Sequence, residues 1–217
     1  MNEIVRAWVE GWVASRGAAS PVSEPWGVTV EVGRPDQVRR HVFGAIGEGV
    51  EEAAVRKVAE GVRGYGVWLK VFHDPEKVGP WLGPGWWIDP EPGYLMTTPL
   101  TPAPLPTPPT GYTAHTWTHS PVTRTLLSAP DGSFAASGQV AVTGTTAVFD
   151  QIGTSPTHRR RGLATAVMRT LHSTASTQAA HTGILAATPA GRALYETLGW
   201  QTVATLTSAK FQGEGRD

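Results

Sequence analysis

The sequence Thr-Ser-Pro-Thr-His-Arg-Arg-Arg-Gly-Leu-Ala, residues 154–164, decides the fold of this 217-residue chain. A strand-like segment ends where this stretch starts, and helical periodicity begins at Leu163. The first turn of a helix carries unpaired backbone N–H groups and partial positive charge. Gly162 allows close backbone approach, Ala164 keeps the helix start open, and the run Arg159 to Arg161 supplies positive charge. The stretch therefore predicts a binding site for a phosphorylated anion at the start of a helix.

The residues on both sides of this loop predict a regular order of elements. Alternating apolar residues predict strands, and apolar residues three and four apart predict helices. The predicted elements are strands at 112–119, 122–129, 134–143 and 146–154, a helix at 163–180, a strand at 184–187, a helix at 190–198 and a strand at 203–208. This order predicts an α/β (α+β) fold with a mixed, mostly antiparallel sheet flanked by helices. Residues 212–217 are expected to form a frayed tail.

A second motif follows the helix that starts at the basic loop. Residues 190–200 read Ala-Gly-Arg-Ala-Leu-Tyr-Glu-Thr-Leu-Gly-Trp. The loop, as Pro-x-x-Arg-x-x-Gly-x-Ala, and this helix end resemble the two signatures of the Gcn5-related N-acetyltransferase (GNAT) superfamily, with Trp200 where Phe is usual. The resemblance covers residues 110–210, about half the chain. It implies the GNAT acyl-CoA N-acyltransferase fold.

The resemblance also implies how acetyl-CoA would bind. The strand before the loop would pair with the pantetheine arm, the loop would wrap the diphosphate, and Gly153 would suit the bulge that opens the strand. The residues implied in cofactor binding are Ile152, Gly153, Thr154, Arg159, Arg160, Arg161, Gly162, Leu163, Ala164, Thr165 and Thr188. Thr188 stands where the family often has Asn. The alternatives are that Thr188 substitutes for the Asn, that the cofactor contacts differ, or that activity is reduced.

Two residues are implied in catalysis. Tyr195 falls where many family members place the general acid that returns a proton to the CoA thiolate, and a phenol is a suitable donor to a thiolate. Asp150 falls where some members keep a carboxylate that deprotonates the incoming ammonium, directly or through water. The alternatives are that Tyr195 only packs beside the cofactor and that Asp150 is a turn or ion-pair residue.

The implied function is transfer of an acetyl group from acetyl-CoA to a primary amine of a small molecule or peptide, by direct attack of the amine. No metal is required for this chemistry. The alternative is a non-catalytic acyl-CoA-binding regulatory module. The sequence leaves the acceptor, the acyl chain length and the oligomeric state open, a homodimer included.

The composition argues against several other functional classes. The 18 basic and 18 acidic residues cancel, which gives no bulk field for nucleic acid or an anionic membrane. Cysteine is absent, so disulfides, thiolate metal sites and Cys nucleophiles are excluded. The N-terminus does not resemble a signal peptide, and we expect a cytoplasmic protein.

The proline-rich segment 99–109 predicts a semi-rigid linker between an N-terminal α/β region, 1–98, and a GNAT domain, 110–212. The first region is interpreted either as a degenerate copy of the same fold or as the opening elements of one enlarged domain. Its predicted elements are a helix from Ile4 to Val13 that stops at Gly17, a strand at 28–32, a helix at 46–62 and a strand at 67–71. No motif like the basic loop occurs there, so one CoA site is expected. The segment Trp81 to Trp87 is a candidate border of the acceptor cleft.

Overall fold

The computed structural model of the protein describes residues 1–213, so residues 214–217 of the predicted tail lie outside the described part. The helices are α1 (Glu3–Arg16), α2 (Glu52–Gly61), α3 (Pro75–Val78), α4 (Leu163–Thr177) and α5 (Pro189–Thr197), with short 3-10 turns at Gly47–Gly49, Gly79–Trp81 and Pro156–His158. The strands are β1 (Val22–Glu24), β2 (Gly27–Arg34), β3 (Gln37–Ile46), β4 (Val67–Phe72), β5 (Trp86–Ile88), β6 (Gly93–Pro99), β7 (Thr113–His119), β8 (Val122–Ser128), β9 (Phe134–Thr143), β10 (Thr146–Thr154), β11 (Thr182–Ala187) and β12 (Gln201–Phe211).

Across residues 1–213, these twelve strands form one sheet. Its order is β1-β2-β3-β4-β12-β6-β11-β10-β9-β8-β7, and β5 pairs with β12 beside this path. Within this described sheet, the parallel pairs are β3 with β4 and β10 with β11, and the other pairs are antiparallel. The predicted mixed, mostly antiparallel sheet flanked by helices is confirmed. No helix in the described 213 residues is long and apolar enough to cross a membrane.

The two ends of the sheet repeat one unit. In each unit a strand lies antiparallel to the one before it, then crosses through a helix to a parallel neighbour: β3, α2 and β4 in the first, and β10, α4 and β11 in the second. Each unit is completed by a strand from the other. The early strand β6 pairs with β11, and the late strand β12 pairs with β4. The exchanged strands also pair with each other at the centre of the sheet. This repeated topology supports the interpretation of the first half as a degenerate copy.

Helix α1 joins the two halves on one face of the sheet. Asn2 caps its start by accepting from the backbone N–H groups of Ile4 and Val5, and Gly17 ends it in the left-handed conformation, as predicted. Its buried side chains, among them Trp8, pack in one cluster with apolar residues of both halves. That cluster contains Val5, Trp8, Val9, Trp12, Val28, Val30, Val42, Phe72, Leu95, Val148, Ile184 and Leu206.

Helices α4 and α5 cover the opposite face of the C-terminal half. Along β10, Val148 faces α1, whereas Ala147 and Phe149 face the cluster that contains Leu163, Val167 and Leu171 of α4. A strand buried on both faces explains the continuous apolar run that precedes the polar end of β10. Packing of this apolar run between α1 and α4 consequently fixes the position of the polar end of β10, from Asp150 onward.

The proline-rich segment starts inside the sheet. Pro99 is the last residue of β6 and is paired with Thr182. Leu100 is buried, and its backbone N–H donates to the carbonyl of His181. Two further carbonyls of the segment accept from α4: that of Thr101 bonds the His172 ring, and that of Ala103 bonds the Ser173 hydroxyl. The division into 1–98, 99–109 and 110–212 stays a proposal, with one sheet running through both parts.

Two parts of the N-terminal half differ from the sequence prediction. The predicted helix at 46–62 begins only at Glu52, because β3 continues through Ile46 and Gly47 turns the chain with φ of 56°. The strands β1, β3, β5 and β6 were not predicted. Residues 37–46 were not predicted as a strand because Arg39 and Arg40 interrupt the apolar alternation, and no element was predicted for residues 93–98.

Candidate active site

The candidate site lies where β10 and β11 separate. Their described pairing ends at Val148 with Ile184, although both strands continue. On its other side β10 stays paired with β9, but the register shifts between Asp150 and Gly153. A bulge of this kind bends the strand and exposes its backbone. The parallel strands therefore open into a wedge lined by main-chain groups.

The residue that bends the strand is Gln151. Its φ is 56°, whereas Gly153, predicted to suit the bulge, is outside the left-handed region and resumes pairing with Ser137. The backbone N–H of Gln151 donates to the carboxylate of Asp150 at 2.9 Å. Left-handed backbone is uncommon for a residue with a Cβ and needs local support, which this hydrogen bond supplies.

The basic loop forms the start of α4. Gly162 is its N-cap residue, with φ of 74°, and a Cβ built there would meet nothing within 4 Å. Arg160 also has positive φ, 63°. The intrahelical hydrogen bonds begin with the N–H of Ala166, which donates to Gly162. The preceding N–H groups of the first turn have no acceptor within the helix, which is the general property of helix starts that bind anions.

A cavity of about 1070 Å³ runs from this loop into the wedge. Most of the residues predicted to bind the cofactor line it. They are Ile152, Gly153, Thr154, Arg159, Arg160, Gly162, Leu163, Ala164, Thr165 and Thr188. Both predicted catalytic residues, Asp150 and Tyr195, line the same cavity. The cavity is at the upper end of the size range of small-molecule sites.

Arg161 points elsewhere. Its guanidinium donates to the hydroxyl of Tyr112 at 2.9 Å, and that hydroxyl also bonds the ring of His158 at 3.1 Å. His158 itself lies in the cavity wall, whereas Arg161 does not. Arg161 thus holds the loop against Tyr112, the residue before β7, and Arg159 and Arg160 are the arginines of the loop that line the cavity.

Tyr195 lies on α5, with 8% of its surface exposed. Its ring lies over Gly191, where a Cβ would come within 3.2 Å of the ring, and next to Trp200. Burial, with a smaller contribution from the negative charge of Asp150, raises the pKa of Tyr195 to about 12. The phenol is therefore protonated at neutral pH and can act as a proton donor.

Asp150 is held by residues of α1 that sequence reasoning missed. Arg16 donates from Nη2 to Oδ1 at 2.7 Å and from Nε to Oδ2, and the Ser15 hydroxyl donates to Oδ2 at 2.8 Å. The Gln139 amide in turn donates to the Ser15 carbonyl and hydroxyl. No local sequence motif predicts this network, because Arg16 and Asp150 are 134 residues apart in the sequence.

Thr188 caps α5. Its hydroxyl accepts from the backbone N–H of Gly191 at 3.1 Å, and Pro189 occupies the first helical position. The hydroxyl proton remains available on the side of the wedge, where Thr188 lines the cavity. Thr188 is the residue that stands where the family often has an Asn near the cofactor.

A second, smaller cavity of about 230 Å³ opens from the wedge on the α1 face. It shares six residues with the first: Arg16, Phe149, Asp150, Ala186, Ala187 and Thr188. Most of its other walls come from the first half of the chain, including Trp8, Trp12, Arg40 and Lys70, and the second half adds Val148, Leu206 and Ser208. Trp81 and Trp86 pack instead around the α2 side of the sheet. The tryptophans beside the wedge are thus those of α1 rather than those of 81–87.

Comparison with known proteins agrees with this architecture. Residues 137–203 match the family model of the acetyltransferase (GNAT) domain. A GCN5-related N-acetyltransferase from Kribbella flavida superposes with a TM-score of 0.64 at 19% identity, covering 98% of this chain and 97% of that one. The chain has the GNAT fold.

Two further solved structures share this GNAT fold. A putative GNAT-family acetyltransferase from Novosphingobium aromaticivorans has a TM-score of 0.57 at 17% identity, covering 98% of this chain and 97% of that one. A tandem GNAT protein from the clavulanic acid biosynthesis pathway has a TM-score of 0.57 at 14% identity, covering 88% and 75%. No curated protein sequence matches the chain. The GNAT resemblance proposed from the two motifs is confirmed, and the fold extends over both halves.

Proposed function

We propose that this protein is an N-acetyltransferase that transfers an acetyl group from acetyl-CoA to a primary amine. The observation that carries the proposal is the continuous cavity that joins the start of α4 to Tyr195 through the open wedge between β10 and β11. It combines an anion site, exposed strand backbone and a protonated phenol along one path. The three features correspond to the diphosphate, the pantetheine arm and the leaving thiolate of an acyl-CoA.

The diphosphate would lie at the basic loop. The N–H groups at the start of α4 and the guanidinium groups of Arg159 and Arg160 supply convergent donors, and Gly162 leaves room for the phosphates. The pantetheine amides would pair with the exposed backbone of Ile152 to Thr154. Thr165 and Thr188 would add hydroxyl contacts at the two ends.

The chemistry would be direct attack. The amine lone pair forms a C–N bond to the thioester carbonyl carbon, and a backbone N–H of the bulge stabilises the developing oxyanion. When the C–S bond breaks, the thiolate takes the proton of the Tyr195 hydroxyl. The new amide nitrogen gives up its surplus proton to water or to a carboxylate, and the Tyr195 phenolate takes up a proton from water, so the products are a neutral amide and the free thiol and the phenol is restored.

Asp150 is the carboxylate nearest to this path, but its oxygen atoms already accept hydrogen bonds from Arg16, Ser15 and Gln151. A base must accept a proton at one of these atoms, which would break part of the network. We therefore propose that Asp150 stabilises the incoming ammonium and fixes α1, and that the proton leaves through water.

Only one half would bind acyl-CoA. In the first half, the turn before α2 occupies the position that the basic loop has before α4. It contains Glu48 and Glu51, and α2 begins with Glu52. Carboxylates at a helix start repel a diphosphate that arginines would attract. This difference supports the single CoA site expected from the sequence.

Release of free thiol from acetyl-CoA, followed with a disulfide dye across a panel of primary amines, tests the activity. Since the chain contains no cysteine, the dye reports only CoA. Thiol release that depends on both amine and protein is expected. Protein that binds CoA by calorimetry but releases no thiol with any amine would contradict the proposal.

The second candidate is a non-catalytic acyl-CoA-binding module. The observation that favours it is that the Asp150 carboxylate already accepts hydrogen bonds from Arg16, Ser15 and Gln151. A carboxylate that acts as a general base needs an oxygen atom that is free to accept a proton. Both candidates predict CoA binding, so turnover in the amine panel separates them.

A further inference from the structure

The smaller cavity contains two basic side chains that have no carboxylate within salt-bridge distance among the described residues. Arg40, on β3, is 8% exposed, and its Nε has no hydrogen-bond partner within residues 1–213. Its guanidinium donates to the Gln37 side chain at 3.0 Å. Lys70, on β4, donates to the Ser208 hydroxyl at 2.6 Å. Neither takes part in a salt bridge among the described residues.

The Arg40 side chain is oriented by an aromatic ring. Its Cζ lies 3.8 Å from the centre of the Trp12 ring, which is the distance of a stacked guanidinium. A stacked guanidinium keeps its N–H edge available for in-plane hydrogen bonds. The unpartnered Nε lies on that edge, in a side chain that lines the cavity.

Burial of these cations is costly in the protein alone. Burial, followed by the nearby charge of Arg16, lowers the pKa of Arg40 to about 9, and the negative charge of Asp150 opposes this shift only in part. Burial, followed by the charge of Arg40, lowers the pKa of Lys70 well below its usual value, and the negative charge of Asp89 opposes this shift only in part. Unpaired buried charges are rare because their desolvation is not repaid by a partner. An anion between the two groups would remove that penalty and would bond the free Nε.

The carboxylates around the cavity are placed differently. Asp150 lies at the junction with the large cavity and is occupied by Arg16. Asp89 and Glu91 come from the segment between β5 and β6, where Asp89 is half-buried and Glu91 is exposed. The cavity therefore has Arg40 and Lys70 on the side of the first half, each with a carboxylate nearby but beyond salt-bridge distance, and has the Asp150 carboxylate at the wedge. An ammonium group is favoured at the wedge, and an anionic group is favoured at Arg40 and Lys70.

We propose that the acceptor is a small amine that also carries an anionic group, a carboxylate or a phosphate, which Arg40 and Lys70 bind while the amine faces the wedge. The Ser208 hydroxyl, which accepts from Lys70, donates its own proton to the same anion. The volume of about 230 Å³ suits a molecule the size of an amino acid and excludes a long peptide from the floor of the cavity. The inference rests on the proposed acetyl transfer, because that reaction gives the cavity its place beside the thioester.

The test compares matched amines in the presence of CoA, which cannot react. The pairs are glycine with glycinamide, β-alanine with β-alaninamide, L-phenylalanine with L-phenylalaninamide, and O-phosphoethanolamine with ethanolamine. Calorimetry should show at least about tenfold tighter binding of the anionic member in at least one pair, the loss expected when a charged hydrogen-bonded partner is removed. Preference in the last pair alone identifies phosphate as the anion, and preference among the others identifies carboxylate.

Variants locate the preference. In Arg40→Gln and in Lys70→Gln, the anionic and neutral members should bind within about twofold of each other, and Arg40→Lys should keep part of the preference. Arg39→Gln is the matched control, because Arg39 is exposed and pairs with Glu31. The urea midpoint of each variant shows whether it is folded.

Absence of preference in every pair with the wild-type protein overturns the inference, as does a preference that survives in both Gln variants. Since the measurement is binding, it is independent of turnover. Selective binding without thiol release would retain the anion site and reject the proposed acetyl transfer. Thiol release without selective binding of the anionic amines would support the proposed acetyl transfer and reject the anion site.

Discussion

Arg16, the last residue of α1, forms a two-point ion pair with Asp150 at the bulge of β10. The Arg16 side chain is 28% exposed and that of Asp150 is 13% exposed, so the pair is shielded from water for most of its surface. The same carboxylate holds the left-handed Gln151 through its backbone N–H. One side chain thus attaches a helix of the first half to the wedge of the second and supports the bend that opens the wedge.

Removal of either charge of this pair should destabilise the protein. In Asp150→Asn or Arg16→Gln, we expect a loss of about 1–3 kcal/mol in the free energy of unfolding, because the remaining group stays partly buried without its partner. The double variant should lose less than the sum of the two. Urea unfolding of the four proteins gives the coupling energy, and strictly additive losses would show that the pair contributes nothing.

Tyr195→Phe should slow turnover without weakening CoA binding. Loss of a general acid costs about a hundredfold or more in kcat. Because burial raises the pKa of Tyr195 to about 12, the wild-type rate should show no fall from ionisation of this phenol below about pH 11. The checks are the pH profile of kcat and calorimetry with CoA. Tyr65→Phe, at an exposed position, is the control, and equal rates for both variants would reject the assignment.

Arg160→Ala and Arg161→Ala should differ in CoA affinity. Arg160 lines the large cavity, whereas the Arg161 guanidinium is bonded to Tyr112. A charge-assisted hydrogen bond to phosphate contributes about 1.5–3 kcal/mol, so Arg160→Ala should weaken binding by roughly tenfold or more. Arg161→Ala should have a smaller effect on the dissociation constant measured by calorimetry. Equal losses would mean that Arg161 leaves Tyr112 when the diphosphate binds.

Lys70→Met should change how stability depends on pH. The folded-state pKa of Lys70 lies well below the ordinary 10.5, so the unfolded chain binds the proton more tightly. Stability of the wild-type protein should therefore rise as the pH increases toward 10.5. The Met variant should show a shallower rise and should be at least as stable at neutral pH. The measurement is the urea midpoint between pH 7 and 9.5, a range that stays below the ionisation of the Tyr195 phenol. An identical pH dependence of the midpoint in the wild-type and Met proteins would contradict the prediction.

Gly11→Ala should be destabilising even though alanine favours helices. A Cβ at Gly11 would lie 2.6 Å from the Cβ of Val148, so α1 would have to move away from β10. Overpacking of this kind costs about 1–3 kcal/mol, which exceeds the gain of about 1 kcal/mol in helix propensity. At Gly61, where a Cβ meets nothing within 4 Å, the same substitution should be neutral or stabilising. Thermal unfolding compares the stability of the two Ala variants. A Gly11→Ala protein that is more stable than the wild type would show that α1 can shift away from β10 at little cost.

The C-terminal half was predictable because its signals are local. The basic loop, the turn residues and the alternation of β8 to β10 each depend on neighbours in sequence, and so does the helix end at Tyr195. The large cavity could be inferred in the same way, since its walls are the loop and the strand that leads into it. Arg161 is the exception, because its direction is decided by Tyr112, which lies 49 positions earlier.

The small cavity could not be predicted from sequence. Trp12, Arg40 and Lys70 lie on three separate elements of the first half, and Asp150 comes from the second. None of them belongs to a motif, and arginine and lysine in a strand usually indicate a solvent-exposed face. Their burial follows from the position of α1 and from the pairing of β12 with β4, both of which are tertiary features.

The exchange of β6 and β12 has a consequence for synthesis and handling of the chain. When the ribosome has made residues 1–200, β4 and β6 still lack the neighbour that separates them, and each presents an open hydrogen-bonding edge. Such edges attract other strands, so this interval is when nascent chains are most prone to associate. A nick in the proline-rich segment of the finished protein, by contrast, should leave both fragments tied together by sheet pairing, and they would migrate as one particle until denatured.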